Sequence, residues 1–140
     1  MKIIELTATQ TWPIRHQVMW PDKPLEYVKL PNDAIGNHFG LMVAGNLVSI
    51  ISLFERDNEI QFRKFATLKQ EQGKGYGSFL LSNVLKDNIS LSTKTIWCNA
   101  RTDKSTFYQK FGLQPTKDTF NKGGIDYVIM KKIISSQNEN

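Results

Sequence analysis

The chain contains a single cysteine, Cys98, in 140 residues. One thiol excludes an internal disulfide and any cysteine-rich metal centre, and a free cysteine in an apolar stretch is more often a packed strand residue than a reactive one. No metal site is therefore expected. Long apolar runs are also missing, which excludes a membrane-spanning helix of the usual ~20 residues. The N-terminus lacks the basic-then-apolar order of a secretion signal, so the expected location is the cytoplasm. There is no internal repeat, heptad series or low-complexity linker, which excludes solenoid and coiled-coil architectures. No arginine-rich run or recognised RNA-binding motif appears, and nucleic acid is not the expected partner.

What is present is ordinary for a globular protein: 40% hydrophobic and 22% charged residues, in a length that supports one domain with a real core. The charge is unevenly placed. Residues 1–58 carry 5 Lys/Arg against 6 Asp/Glu and the remainder 13 against 7, so the local balances are −1 and +6. A basic half suits a polyanionic ligand.

That half holds the most informative stretch, residues 60–88. Ile60, Phe62 and Ala66 alternate with polar residues, as in a half-buried strand, while Leu80, Leu81, Val84 and Leu85 recur at helical spacing and Asn88 is a plausible stop. Between them lie Gln72, Gly73, Lys74, Gly75, Tyr76, Gly77 and Ser78. The first turn of a helix has N–H groups without intrahelical partners and the positive end of the macrodipole. Glycines before it let a phosphate approach the backbone, and Lys74 adds a full charge. The stretch reads as a phosphate or pyrophosphate cradle.

Spacing separates the known cradles. A P-loop needs Lys followed by Ser or Thr, but Lys74 is followed by Gly75. A dinucleotide fingerprint needs a third glycine where Ser78 stands, on a tighter turn than residues 68–71 allow. Gln72, Gly75 and Gly77 instead match every fixed position of the acetyl-CoA loop of the GNAT N-acetyltransferases, and the stretch resembles that loop in its flanking strand and helix as well.

Upstream, residues 2–7 read as a short strand, and Thr9 or Thr11 as the cap of a helix with Pro13 in its first turn, ended by Pro21 and Pro24. The Pro- and Asp-rich residues 20–36 read as an ordered but irregular connection. Residues 37–43 and 47–54 form a hairpin about Ala44-Gly45-Asn46, and a polar turn leads into the strand ending at Thr67, making a three-strand meander. Downstream come a buried strand over 95–100, a short helix capped by Thr102 or Asp103, and strands over 113–120 and 125–134.

Asn99-Ala100-Arg101 followed by Phe107-Tyr108-Gln109-Lys110-Phe111-Gly112-Leu113 is similar to the second GNAT block. A subgroup with Asn-Ala-Arg also shows His-x-Gly in its second strand and Arg in its fourth, as His38-Phe39-Gly40 and Arg63 do here. The resemblance implies a single α/β (α+β) domain over residues 1–134, with a mixed, mostly antiparallel sheet of about seven strands flanked by helices, and a frayed tail over 135–140. It implies acetyl-CoA as acyl donor and an amine as acceptor, with a homodimer plausible by family habit. Phe65 and Thr67 would hold the pantetheine arm by backbone hydrogen bonds, the N–H groups of residues 72–78 the pyrophosphate, and Arg101 would contribute to the cofactor site. Tyr108 would protonate the leaving thiolate. For the base, His38, Glu55, Glu59, Glu71 and water stay open. The alternative reading is a CoA-binding module with this fold and no catalysis.

Overall fold

Strand β1 (Lys2–Leu6) runs straight into helix α1 (Ala8–Ile14) through Thr7, whose side chain accepts from the Gln10 backbone N–H while the Gln10 side chain returns the bond to Thr7. This reciprocal capping box displaces the expected caps Thr9 and Thr11. The chain is still extended at Thr7, so the first orphan N–H groups fall within its reach, and Thr11 instead donates to the Ala8 carbonyl. Pro13 lies inside the helix, and the next residues, Arg15–Met19, open into a π turn. Proline removes a helical N–H and crowds the preceding turn, which favours such an irregularity.

The computed structural model describes residues 1–134, and the expected tail over 135–140 lies outside the described residues. Residues 20–36 contain two short 3₁₀ turns, Leu25–Val28 and Asp33–Ile35. Strand β2 (Asn37–Val43) then pairs with β1 and, through a two-residue turn at Ala44 (φ 51°) and Gly45 (φ 81°), with β3 (Asn46–Arg56). Two left-handed residues match the twist of the flanking strands, and Asp57 and Asn58 repeat the device before β4 (Glu59–Thr67). Helix α2 (Tyr76–Asn88), β5 (Thr95–Arg101), helix α3 (Ser105–Gln109), β6 (Gln114–Lys122) and β7 (Ile125–Ile133) complete the order. The expected strands and α2 appear within a few residues of their predicted ends. The cap expected at Thr102 or Asp103 does not form: a 3₁₀ turn occupies Thr102–Lys104, and α3 begins without a side-chain cap.

The strands hydrogen-bond in the order β1-β2-β3-β4-β5-β7-β6, in one seven-stranded, mostly antiparallel sheet. The exception is β4 with β5, parallel from Glu59↔Thr95 to Gln61↔Trp97. A parallel neighbour requires a crossover, and residues 68–94 with α2 supply it. The chain packs as two units: Met1–Phe54 with Arg63–Asn88, and Glu55–Phe62 with the chain from Ile89 onward. In the first, Ile14, Ile50 and Ala66 form a cluster joined by Leu6, Val18, Met19, Leu47 and Leu68, and Leu80, Leu81, Val84 and Leu85 are the buried stripe of α2. In the second, Ile60, Phe62, Ile96, Cys98, Ala100, Leu113, Val128 and Met130 are buried. Cys98 is thus the packed strand residue its setting suggested, and burial pushes its thiol up to about 12.

Candidate active site

The first unit brings the end of β4 and the glycine loop together. Gln72 donates its side-chain amide to the Thr67 carbonyl at 2.9 Å, and a 3₁₀ turn at Lys69–Glu71 fills the gap. Gly73 and Gly75 have φ of 81° and 86°, in the left-handed region where a side chain is strained, and a Cβ at either would point into open space. The glycines are therefore needed for the course of the chain, and it leaves their surface bare. The first helical bond runs from the Phe79 N–H to the Gly75 carbonyl at 3.0 Å, so the N–H groups of Tyr76, Gly77 and Ser78 precede the intrahelical ladder. A Cβ on Gly77 would come within 3.1 Å of Thr67 Oγ1 and 3.2 Å of the Phe65 ring, so this glycine seats α2 on the strand end. Thr67 is tied back through Ser49, whose hydroxyl donates to the Ala66 carbonyl at 3.1 Å and lies 2.8 Å from Thr67 Oγ1. Lys74 forms a 3.0 Å ion pair with Glu71 across the loop, and that pair raises its pKa. Both ends remain partly in solvent, where such a pair is worth little.

Upstream in β4, Lys64 has φ 55°. A left-handed non-glycine residue inside a strand interrupts the pleat and costs roughly 1 kcal/mol or more, and strain of this kind gathers at functional sites. No glycine advertises it, so the sequence carried no signal.

Also hidden from the sequence is a buried polar network in the same unit. Arg15, fully buried, pairs through both terminal nitrogens with Asp33 at 2.9 Å each, and also donates to the Val28 carbonyl and Ser52 Oγ at 3.0 Å. Asp33 also accepts from Trp12 Nε1 and the Leu30 N–H. Burial alone would raise the Asp33 carboxyl, but the Arg15, Leu30 and Trp12 hydrogen bonds outweigh it and hold the group down at about 2. His38 completes the network, with Nε2 2.9 Å from the Asp33 carbonyl and Nδ1 2.7 Å from Ser52 Oγ. A carbonyl only accepts, so Nε2 carries a proton and donates it, while Nδ1 and Ser52 Oγ share a second hydrogen bond. With both nitrogens engaged and 4% of the residue exposed, His38 is closed to a substrate amine. Of the other candidate bases, Glu71 is held by Lys74, Glu55 is exposed, and Glu59, the first residue of β4, is partly buried.

The second unit holds Arg101 and Tyr108. Arg101 ends β5, is exposed, and lies 3.9 Å from Asp103. Tyr108 sits in α3 with ring contacts to Phe62 (5.7 Å) and Phe107 (5.2 Å). Burial, with a smaller contribution from Cys98, pushes its phenol above the ordinary range, so it stays protonated. Gly112, at φ 91°, turns the chain out of this helix against the Lys132 side chain, which donates to the Phe111 carbonyl. Among the described residues no group of three or more His, Cys, Asp and Glu is placed to hold a metal, and no helix is long and apolar enough to cross a membrane.

Comparison with known proteins bears on the same residues. Residues 22–134 match the acetyltransferase (GNAT) domain family. The chain is 26% identical to the uncharacterized N-acetyltransferase YitI of Bacillus subtilis (strain 168), covering 96% of this chain and 97% of that protein. Among solved structures, it shares its fold with the ribosomal-protein-S18-alanine N-acetyltransferase of Escherichia coli (TM-score 0.78, 18% identity, 99% of this chain and 97% of that one). It shares it too with a GNAT family acetyltransferase from Elizabethkingia anophelis solved with acetyl-CoA bound (TM-score 0.74, 16% identity, 95% and 97%). A match that spans the glycine loop, β5 and α3 together, on this seven-stranded sheet, places the chain in the GNAT family, and it is an N-acetyltransferase.

Proposed function

We propose that the protein binds acetyl-CoA along the second half of β4 and the loop of residues 72–78, and transfers the acetyl group directly to a primary amine. The observation that carries this reading is the bare loop surface at Gly73 and Gly75, followed at once by the unladdered N–H groups of Tyr76, Gly77 and Ser78. These donors suit the pyrophosphate, with Lys74 adding charge at the rim. The pantetheine arm lies against the backbone of Phe65 and Thr67, and Arg101 adds positive charge to the cofactor site. Backbone strain at Lys64, immediately before Phe65, supports placing the reacting carbonyl there.

In the reaction the free amine attacks the thioester carbonyl, a new C–N bond forms, the C–S bond breaks, and the thiolate leaves. Strand backbone stabilises the developing oxyanion. Tyr108, held protonated by burial, gives its proton to the thiolate, and the amine proton passes to water, Glu55 or Glu59, because His38 and Glu71 are already engaged. Calorimetric titration with acetyl-CoA tests the reading, alongside Gly75→Glu, which puts charge and a strained side chain in the cradle. The expected result is binding by the wild type and a loss of affinity on the order of 100-fold in the variant, about 2.7 kcal/mol. Wild-type protein that fails to bind acetyl-CoA would overturn it.

A further inference from the structure

Arg63 is a charged residue of β4 whose setting the acetyl-transfer reading leaves unexplained. It lies two residues before Phe65, is half-buried, and follows the buried Phe62. Its side chain has no hydrogen bond or ion pair among the described residues. Arg15 and Asp33 are charged groups that act on it electrostatically. Asp33 makes no hydrogen bond to it; its oxygens take two bonds from Arg15, one from Trp12 and one from Leu30. Burial and Arg15 both disfavour the charged guanidinium, and Asp33 relieves only part of this. Arginine does not escape by deprotonating. A half-desolvated guanidinium without a counter-ion is costly, and a ligand that supplies one gains a charge-assisted, bidentate contact.

We infer that Arg63 binds a carboxylate of the acceptor, so that the acceptors are amines that also carry a carboxylate, such as amino acids or short peptides with a free C-terminus. This rests on the acetyl-transfer reading and names its substrate class. Chain length sets the scale: two residues of backbone span at most about 7 Å, so Arg63 and Phe65 lie within that distance whatever the turn at Lys64. An amine presented at Phe65 and a carboxylate presented at Arg63 thus fit within one small molecule.

The test uses matched pairs of amino acids and dipeptides with their C-terminal carboxamides as acceptors, with acetyl-CoA binding measured on the same protein. For the wild type, kcat/KM for each carboxylate should exceed that of its amide by on the order of 10- to 100-fold. Carboxylates but not amides should shift the Arg63 Nε–Hε resonance. In Arg63→Gln the ratio should collapse toward one, and Arg63→Lys should restore part of it. Amides accepted as well as carboxylates, a ratio that survives in Arg63→Gln, or no carboxylate of the panel shifting the Arg63 resonance would each overturn the inference. An Arg63-dependent preference for succinyl-CoA over acetyl-CoA would put the carboxylate on the donor and overturn it equally. If the glutamine variant does not fold, the wild-type ratio and the resonance decide. If acetyl-CoA itself does not bind, the parent reading fails, while the Arg63 resonance still reports on carboxylate binding.

Discussion

Arg15 and Asp33 show how a single residue pair sets local stability. A buried ion pair is weak evidence of stability by itself, because desolvation offsets much of the attraction, yet removing one partner strands a charge. Arg15→Met should therefore cost about 3–5 kcal/mol in denaturant unfolding. The carboxyl also makes stability depend on acid. Its folded pKa lies near 2, below the ordinary 3.8, so its contribution is present above about pH 4 and is lost as the pH falls toward 2. Unfolding free energy should drop by roughly 2 kcal/mol over that window, and the drop should vanish in Asp33→Asn. At Tyr108 the sign is different in kind. A phenol pushed upward by burial remains an acid across neutral pH, so kcat should show no loss from its ionisation below about pH 10. Tyr108→Phe should lower kcat by on the order of 100-fold with acetyl-CoA affinity little changed. A variant with full kcat would remove the assignment.

At the scale of elements, two turns carry more than their length suggests. Gly112 combines φ 91° with a Lys132 side chain that a Cβ would meet at 3.0 Å. Gly112→Ala should cost roughly 1–3 kcal/mol by thermal or chemical unfolding, since strain and contact add. The start of α1 offers a milder case: Thr7→Ala removes one half of the capping box and should cost about 1 kcal/mol. The loop before α2 differs from both, because its glycines meet nothing a side chain would touch. Substitution at Gly73 or Gly75 strains the backbone, and on the proposed reading the loss should appear in acetyl-CoA affinity more than in packing.

Over the whole molecule, a net charge of +5, with the excess beyond residue 58, would attract the phosphate groups of the proposed donor. The association rate for acetyl-CoA, measured by stopped flow, should fall by about tenfold between ~10 mM and ~500 mM salt, while dissociation changes less. An association rate indifferent to salt would show that the charge distribution plays no part in capture.

The sequence by itself determined the alternation of β4, the helical stripe of α2 and the loop between them, because these follow from local periodicity and from the few residues that tolerate left-handed backbone. It also carried the family, since the loop motif and the Phe-Tyr helix are short, contiguous signals. Only the tertiary structure decided what depends on residues far apart in the chain. Arg15, Asp33, Ser52 and His38 meet because the π turn after α1, the second 3₁₀ turn and two strands pack together, and no local pattern announces a buried arginine. That meeting closed His38 to a substrate amine and engaged Asp33 with Arg15, Trp12 and Leu30. The cap at Thr7, the π turn after Pro13 and the left-handed Lys64 belong to the same class. Each is a compromise between backbone preference and the position of a neighbouring element, which propensity alone does not contain.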